Sequence, residues 1–306
     1  MQIVWYEADG TAHVLHDAIA GAGVGQCDLT VTRLTGAGMP GVRDVVHGGP
    51  YQHGETWDFG RLTTRALRLT LDIHAYGTHN DMMAGRRELA RWFNPNSDSE
   101  YGMGRLRITT DVVREIECRY NAGLSFDETL DDVDTVTEDV TLYAPDPLFY
   151  DPVESVVGFA SGNVYTVQFP LTLPAYFVAG DALVVYHQCV NAGDWGVYPQ
   201  ITVVGPGKTP TIYNLTTGER LALEGYALES GEQVTFDLSF GSKSVTSDIA
   251  GNLVPYLSSD SSLATWHLAA SPEAQNGVNE VYVGLDEAED GVTAAFIAWY
   301  NRYLTI

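Results

Sequence analysis

The chain has 306 residues, of which 45% are hydrophobic and 11% aromatic, and it carries a formal net charge of −24. This length predicts two domains, residues 1–152 and 153–306, and the composition excludes a largely disordered chain. The apolar runs are too short for a membrane span, and the first residues lack the features of a signal peptide.

Charge is divided unevenly along the chain. Residues 1–119 hold 12 arginines and 15 acids, whereas residues 120–306 hold 4 basic residues and 25 acids. The second half therefore argues against direct nucleic-acid binding, which requires a basic surface. Acid excess with scarce lysine is also typical of proteins that work in high salt. A halophilic host is one hypothesis, and simple solubility is the alternative.

The first half predicts strands and one helix. Leucine or isoleucine at every second position of residues 65–74 predicts a strand with one buried face. A helix is expected at about 80–93, with Asn80 as its N-cap and Asn94-Pro95 at its end. Two further strands follow, at 104–109 and 114–120. This order predicts an N-terminal β-barrel or sheet domain with one packed α-helix.

Two acidic segments can be compared with metal-binding loops. Residues 127–139 lack the glycine that a calcium loop needs, so we interpret them as a solvated loop or strand edge. Residues 286–291 look closer to an EF-hand, but Ala288 stands at its third position and Ile297 at its twelfth, so we interpret the segment as a turn between strands. The three cysteines are odd in number and widely spaced, which predicts buried apolar residues and neither a disulfide nor a metal site. They are Cys27, Cys118 and Cys189.

The second half predicts a C-terminal β-sandwich of short strands separated by glycine turns. Its last segment alternates Ile297 and Trp299 against Phe296 and Tyr300, which favours a strand over a helix. The expected strands are 164–169, 182–190, 198–204, 211–215, 220–223, 233–240, 252–256, 263–269, 279–284 and 292–304.

Motifs in both halves resemble those of the distal tail proteins of long-tailed, siphovirus-like viruses, in the same order and spacing. In the first half the matching segments are 65–73, Arg86-Arg87-Glu88-Leu89, Asn94-Pro95, Leu106-Arg107-Ile108 and Asp146-Pro147-Leu148-Phe149-Tyr150. In the second half they are 210–223, 231–237, Trp266-His267-Leu268 and Gly277-Val278-Asn279.

This resemblance implies a structural virion protein. It would be a hub component that forms a homohexameric ring and joins the tail tube to the baseplate or tail tip. The implied partners are other copies of the chain, the tail tube protein, and tail-tip, baseplate hub or fibre proteins. The implied location is the virion tail tip, after assembly in the host cytoplasm. The second domain would be galectin-like, with an insertion at about 160–200 that no family motif covers.

Within a ring, the arginines of the nearly neutral first half are candidates for subunit contacts, because guanidinium groups suit polar interfaces. A proline that fixes an extended exit, with aromatic neighbours, suits a hinge between domains. The candidate interface residues are Arg65, Arg68, Arg105 and Arg107, and the candidate hinge residues are Pro147, Phe149 and Tyr150.

The sequence contains no convergent catalytic motif, so we expect no enzyme activity, no cofactor and no metal. The alternative function is a carbohydrate-binding module that takes part in host-surface adsorption. In that case an exposed tryptophan would stack on a host glycan, and Trp195 is the candidate. Trp266 lies in an apolar segment that is more typical of a core.

Overall fold

The computed structural model describes residues 1–96, 102–126, 135–160 and 183–306. The chain divides into two compact units. The first unit contains Met1–Pro152 together with Tyr303–Ile306, and the second contains Val153–Arg302. The described residues are mainly β, with one α-helix in the first unit, which confirms the predicted fold class. None of the described helices is long and apolar enough to cross a membrane.

The strands of the first unit are β1 (Gln2–Tyr6), β2 (Ala12–Asp17), β3 (Gly23–Val24), β4 (Cys27–Thr35), β5 (Val42–His47), β6 (Thr56–Leu62), β7 (Arg65–Ala75), β8 (Gly104–Thr109), β9 (Val113–Gly123), β10 (Thr135–Ala144) and β11 (Phe149–Tyr150). Eight of them follow the order β2-β1-β8-β9-β10-β7-β4-β3 in a ten-stranded sheet, and β5 and β6 form a separate hairpin. The other two strands of the sheet are β11, which pairs with β9, and Arg302–Tyr303, which pairs with β11.

Strand β7 lies between β10 and β4 and follows the predicted alternation. Leu67, Leu69, Leu71 and Ile73 are completely buried. The residues between them point to the opposite face, because successive side chains of a strand alternate. Arg65 has the same parity as the leucines and is also buried.

Helix α1 (His79–Trp92) packs against β3, β4 and β7. Its N-cap is Thr78, so the prediction of Asn80 is wrong. The Asp81 carboxylate accepts hydrogen bonds from the backbone N–H and the hydroxyl of Thr78, at 2.7 and 2.9 Å. These bonds close the first turn earlier than the sequence suggested. The helix ends before Asn94, as predicted.

The helix can approach the sheet closely because residue 85 is glycine. A Cβ atom there would lie 2.9 Å from the Cys27 sulfur. Cys27, Cys118 and Cys189 are all free and buried, as the sequence predicted. Burial raises the pKa of the Cys189 thiol to about 12, so this thiol is not a reactive group at neutral pH.

The second unit contains two antiparallel sheets around one core, which is a β-sandwich. The strands are β12 (Ser155–Ala160), β13 (Leu183–Val190), β14 (Gln200–Val204), β15 (Gly207–Asn214), β16 (Glu219–Ala222), β17 (Ala227–Leu228), β18 (Gln233–Asp237), β19 (Ser244–Ser247), β20 (Gly251–Asn252), β21 (Val278–Asp286) and β22 (Ala294–Trp299). The first sheet has the order β12-β22-β14-β18-β19-β20, and the second has the order β13-β21-β15-β16 with β17 beside β15. The last strand of the chain is β23 (Arg302–Tyr303).

Several sequence predictions hold in this unit. Ile297 and Trp299 are buried, whereas Phe296 and Tyr300 are exposed, as the alternation predicted. The segment 286–291 leads from β21 into the turn before β22. Trp266 is completely buried in the core.

Two predicted strands of the second unit are wrong. Residues 254–256 form a 3₁₀ helix with proline near its start, and proline favours the first turn of a helix. Residues 263–269 contain only an isolated bridge between Val197 and Leu268. Trp266 reaches the core from a turn, in which its backbone N–H donates to the Ser262 carbonyl at 2.8 Å.

Some predictions fall outside the described residues. They are the acidic residues 127–134, the strand 164–169 and the part of the predicted insertion at 161–182. The part of that insertion that is described belongs to the sandwich, because β13 pairs with β21 along eight residues, Leu183–Val190.

Candidate functional site

The first unit places the four predicted interface arginines in three different settings. Arg65 is buried and only 3% exposed. Its guanidinium lies 4.6 Å from the centre of the Phe149 ring. Burial lowers the pKa of this guanidinium. Its nitrogens donate to four backbone carbonyls at 2.5–2.8 Å, those of Gly36, Gly38, Pro147 and Leu304.

These bonds make Arg65 an internal anchor of the first unit. It joins the loop after β4, the segment before β11 and the C-terminal residues. Because its donors are used within the chain, we remove Arg65 from the predicted subunit interface. The sequence contained a signal for this, since Arg65 is in phase with the buried leucines of β7.

Arg105 and Arg107 form a cluster around one buried carboxylate. Both lie on β8 and point to the face opposite the buried Leu106 and Ile108. Glu115 is 1% exposed and accepts from Arg107 at 2.6 Å and from Arg105 at 3.2 Å.

The Tyr6 ring lies below both guanidinium groups, at 5.3 Å from Arg105 and 4.8 Å from Arg107. The two arginine side chains remain 40% and 33% exposed. The cluster therefore holds two partly exposed cations in fixed positions around one buried carboxylate.

Arg68 lies on the outer face of β7 and is 60% exposed. It forms an ion pair with Asp139 of β10, which also accepts from the Thr70 hydroxyl at 2.7 Å. The hydrogen bond from Arg68 is the largest of the effects that lower the pKa of Asp139. Strands β9 and β10 separate β7 from β8, so Arg68 belongs to a different part of the sheet from Arg107.

The predicted hinge residues are part of the first unit. Phe149 is completely buried, and Tyr150 pairs with Glu115 of β9. Pro147 donates no N–H, but its carbonyl is held by Arg65. The change from the first to the second unit follows them, after Pro152. A hinge role for Pro147, Phe149 and Tyr150 remains a prediction.

The candidate glycan residue, Trp195, lies in the second unit and is 42% exposed. It forms an isolated bridge with Arg302, and its carbonyl accepts from the Asn191 amide at 2.9 Å. Among the described residues, no group of three or more His, Cys, Asp or Glu side chains is placed to hold a metal ion.

The sequence did not predict the hairpin of β5 and β6. Every residue of β5 is exposed, and so is every residue of β6 except Leu62. Gly41 and Thr63 close its base with a backbone hydrogen bond of 2.8 Å. The hairpin presents the exposed apolar side chains Val42, Val45, Val46, Trp57 and Phe59.

No protein-family model and no curated protein sequence matches the chain. Solved structures do match. One is the crystal structure of the Dit protein (gp 19.1) of phage SPP1, described as a paradigm of the hub adsorption apparatus in phages that infect Gram-positive bacteria. The similarity covers 98% of this chain and 98% of that chain, with a TM-score of 0.60 and 14% sequence identity.

Two structures of the phage p2 baseplate in its activated conformation, with calcium and with strontium, also match. Their TM-scores are 0.48, their identities are 10% and 11%, and they cover 100% of this chain and 99% of the matched chains. The similarity to the SPP1 protein shows that this chain has the same fold along nearly its whole length.

Proposed function

We propose that this chain is a structural virion protein, a distal tail (Dit) hub component that forms a ring between the tail tube and the baseplate or tail tip. The observation that carries the proposal is the fold shared with SPP1 Dit over 98% of both chains. A match that includes both units supports a common architecture and not merely a common sandwich domain.

The charge distribution supports the same function. Residues 1–119 are close to neutral, whereas residues 120–306 carry an excess of 21 negative charges. Strongly acidic surfaces repel each other, so copies are expected to meet through the part of the first unit that residues 1–119 form. There, Arg105 and Arg107 are held in position by Glu115 and retain exposed donors that a neighbouring copy could use.

The proposed ring is a homohexamer, and its further partners are the tail tube protein and tail-tip, baseplate hub or fibre proteins. It assembles in the host cytoplasm and remains at the virion tail tip. If the host is halophilic, molar salt screens the acidic residues 120–306 and favours assembly. The second unit is proposed to be galectin-like, and the segment with Pro147, Phe149 and Tyr150 is the proposed hinge.

Negative-stain microscopy and light scattering of the purified chain, at low and at molar salt, test this function. Closed rings of uniform size are expected, and antibodies against the chain should label one end of purified viral tails. A chain that stays monomeric at every salt and protein concentration would contradict the proposal.

The exposed indole of Trp195 favours a second candidate function, glycan binding during adsorption. Aromatic rings can stack on the apolar face of a sugar. Binding to a glycan array that Trp195→Ala abolishes, with ring formation unchanged, would establish this additional function. Equal binding by both proteins would exclude Trp195 as the contact.

A further inference from the structure

The hairpin of β5 and β6 stands apart from the sheet of the first unit, since the two strands pair with each other and belong to no larger described sheet. An isolated two-stranded hairpin is at best marginally stable in water. Such a hairpin gains stability when another surface covers its apolar side chains.

One face of this hairpin combines apolar and cationic groups, and the Asp58 carboxylate beside them is paired with His47 at 2.9 Å. Val45 is directly opposite Phe59, and Arg43 is directly opposite Arg61. Residues two apart on a strand share a face, so these four side chains lie together. Val45 is 37% exposed and Phe59 is 41% exposed. We call Arg43, Val45, Phe59 and Arg61 the arginine–apolar face.

The two arginines of this face lack a carboxylate partner within the described part of the chain. Arg61 lies over the Phe59 ring, at 5.1 Å from its centre. The acids of the strands are used on other contacts, because Asp44 accepts from the Trp57 indole at 2.8 Å and Asp58 contacts His47 at 2.9 Å. Like charges directly opposite each other destabilise a strand pair, so Arg43 and Arg61 favour an anionic partner.

We propose that the arginine–apolar face binds an acidic surface of a second copy of this chain. This inference rests on the proposed ring function and assigns one of its contacts. A copy with a net charge of −24 supplies the anionic surface that two unpaired guanidiniums require. The same negative charge would repel a nucleic acid from this chain.

The charges also determine the geometry of the contact. In a two-fold dimer through this face, the same cationic patch of both copies would face itself, and the four arginines would repel each other. The hairpin therefore contacts a different surface on the next copy. Such head-to-tail contacts produce closed rings when the rotation between copies closes.

Two double variants test the face, and an exposed apolar residue of the second unit provides the control. Val45→Ser/Phe59→Ser removes the apolar contact, and Arg43→Glu/Arg61→Glu reverses the charge. Phe240→Ser replaces a side chain that is 79% exposed. Light scattering at increasing concentration measures assembly, and circular dichroism checks that each variant is folded.

Each hairpin variant is expected to raise the concentration for half-assembly by about tenfold or more, whereas Phe240→Ser leaves it unchanged. In the wild-type chain, hydrogen exchange of the amides of residues 42–62 should slow when rings form. This second measurement tests the contact even if a variant does not fold.

Folded hairpin variants that form rings at the wild-type concentration would overturn the inference and leave ring formation intact. Equal exchange at residues 42–62 in monomers and in rings would overturn it as well. A wild-type chain that never assembles would instead overturn the proposed function and this contact with it.

Discussion

The two units bury different kinds of polar side chain. Among the described residues of the first unit, the buried polar side chains are all charged: Arg65, Arg86, Glu115 and Glu138. In the second unit, Glu232 is the only charged residue among the buried polar residues that the structure describes, and asparagine is the most frequent residue type among them. Asn279 illustrates this pattern. It exchanges hydrogen bonds with the backbone of Ala269 at 2.9 Å in both directions.

The difference follows from what each set of buried groups does. A buried guanidinium has five donors, so Arg65 can join segments that are far apart in the sequence. The neutral side-chain amide of an asparagine can bond to both the N–H and the carbonyl of one backbone residue. Its transfer from water into the core costs less free energy than the transfer of a charged group. The first unit therefore uses charge for internal architecture and for its surface, whereas the second confines most of its charge to the surface.

Replacing the central cation of the first unit should have the largest effect. Arg65→Ala leaves four backbone carbonyls without their donor, and we expect it to lower the free energy of unfolding of the first unit by about 4 kcal/mol. Hydrogen exchange of the β7 amides measures this separately from the second unit. Arg33→Ala, which removes an exposed arginine from the neighbouring strand β4, is the control. Equal exchange in the two variants would show that Arg65 is not an anchor.

The corresponding change in the second unit should be smaller, because an amide makes fewer long-range bonds. Asn279→Ala removes bonds to Ala269, Gly277 and Asn214 and should cost about 3 kcal/mol in the second unit. Faster exchange in β21 and unchanged exchange in β7 are expected. Asn252→Ala, at an exposed position, should have little effect. Loss of protection in both units would mean that they do not unfold separately.

Glu232, the only charged residue among the buried polar residues described in the second unit, should make stability depend on pH. Burial alone would raise the pKa of this carboxyl. Hydrogen bonds from Ser247, Tyr226 and the backbone of Glu229 outweigh burial, and the pKa lies below its usual 4.5. As the pH falls, the unfolded chain therefore takes up a proton first. The stabilisation by Glu232 is complete above pH 4.5 and is lost as the pH falls through the folded pKa.

Glu232→Gln should therefore lower stability at neutral pH by about 2 kcal/mol. The difference from wild type should shrink in acid. Urea unfolding at neutral pH and at about one unit below the usual pKa measures both effects. Glu229→Gln, at an exposed neighbouring position, is the control. A difference that stays constant with pH would show that the carboxyl has the same pKa in both states.

Local periodicity was enough to predict much of this fold. The leucines of β7 and the alternation around Ile297 depend on neighbouring residues alone, and both predictions are confirmed. The same alternation indicates that Arg65 is buried, but it does not predict the hydrogen-bond partners of its guanidinium. Its four acceptors come from three segments between residues 36 and 304, and the sequence does not show which carbonyls converge.

The hairpin was missed for a different reason. Apolar and charged residues occur on both of its faces, and a register shift between Val45 and Val46 interrupts the alternation. For Trp266 the apolar segment around it correctly predicted burial, but the strand predicted for that segment was wrong. A large apolar side chain can be buried from a turn as well as from a strand, so residue type predicts burial more directly than it predicts secondary structure.

The smallest effect on stability is expected at Arg68, which is exposed and paired across two strands with Asp139. Exposed ion pairs contribute little to folding because water already solvates both charges. Arg68→Ala should therefore leave the unfolding midpoint of the first unit unchanged while it weakens ring formation. Arg68→Lys retains the charge without the planar donor arrangement and should lie between the two. Unchanged assembly in Arg68→Ala would remove this arginine from the proposed interface and leave Arg105 and Arg107 as its candidates on the sheet.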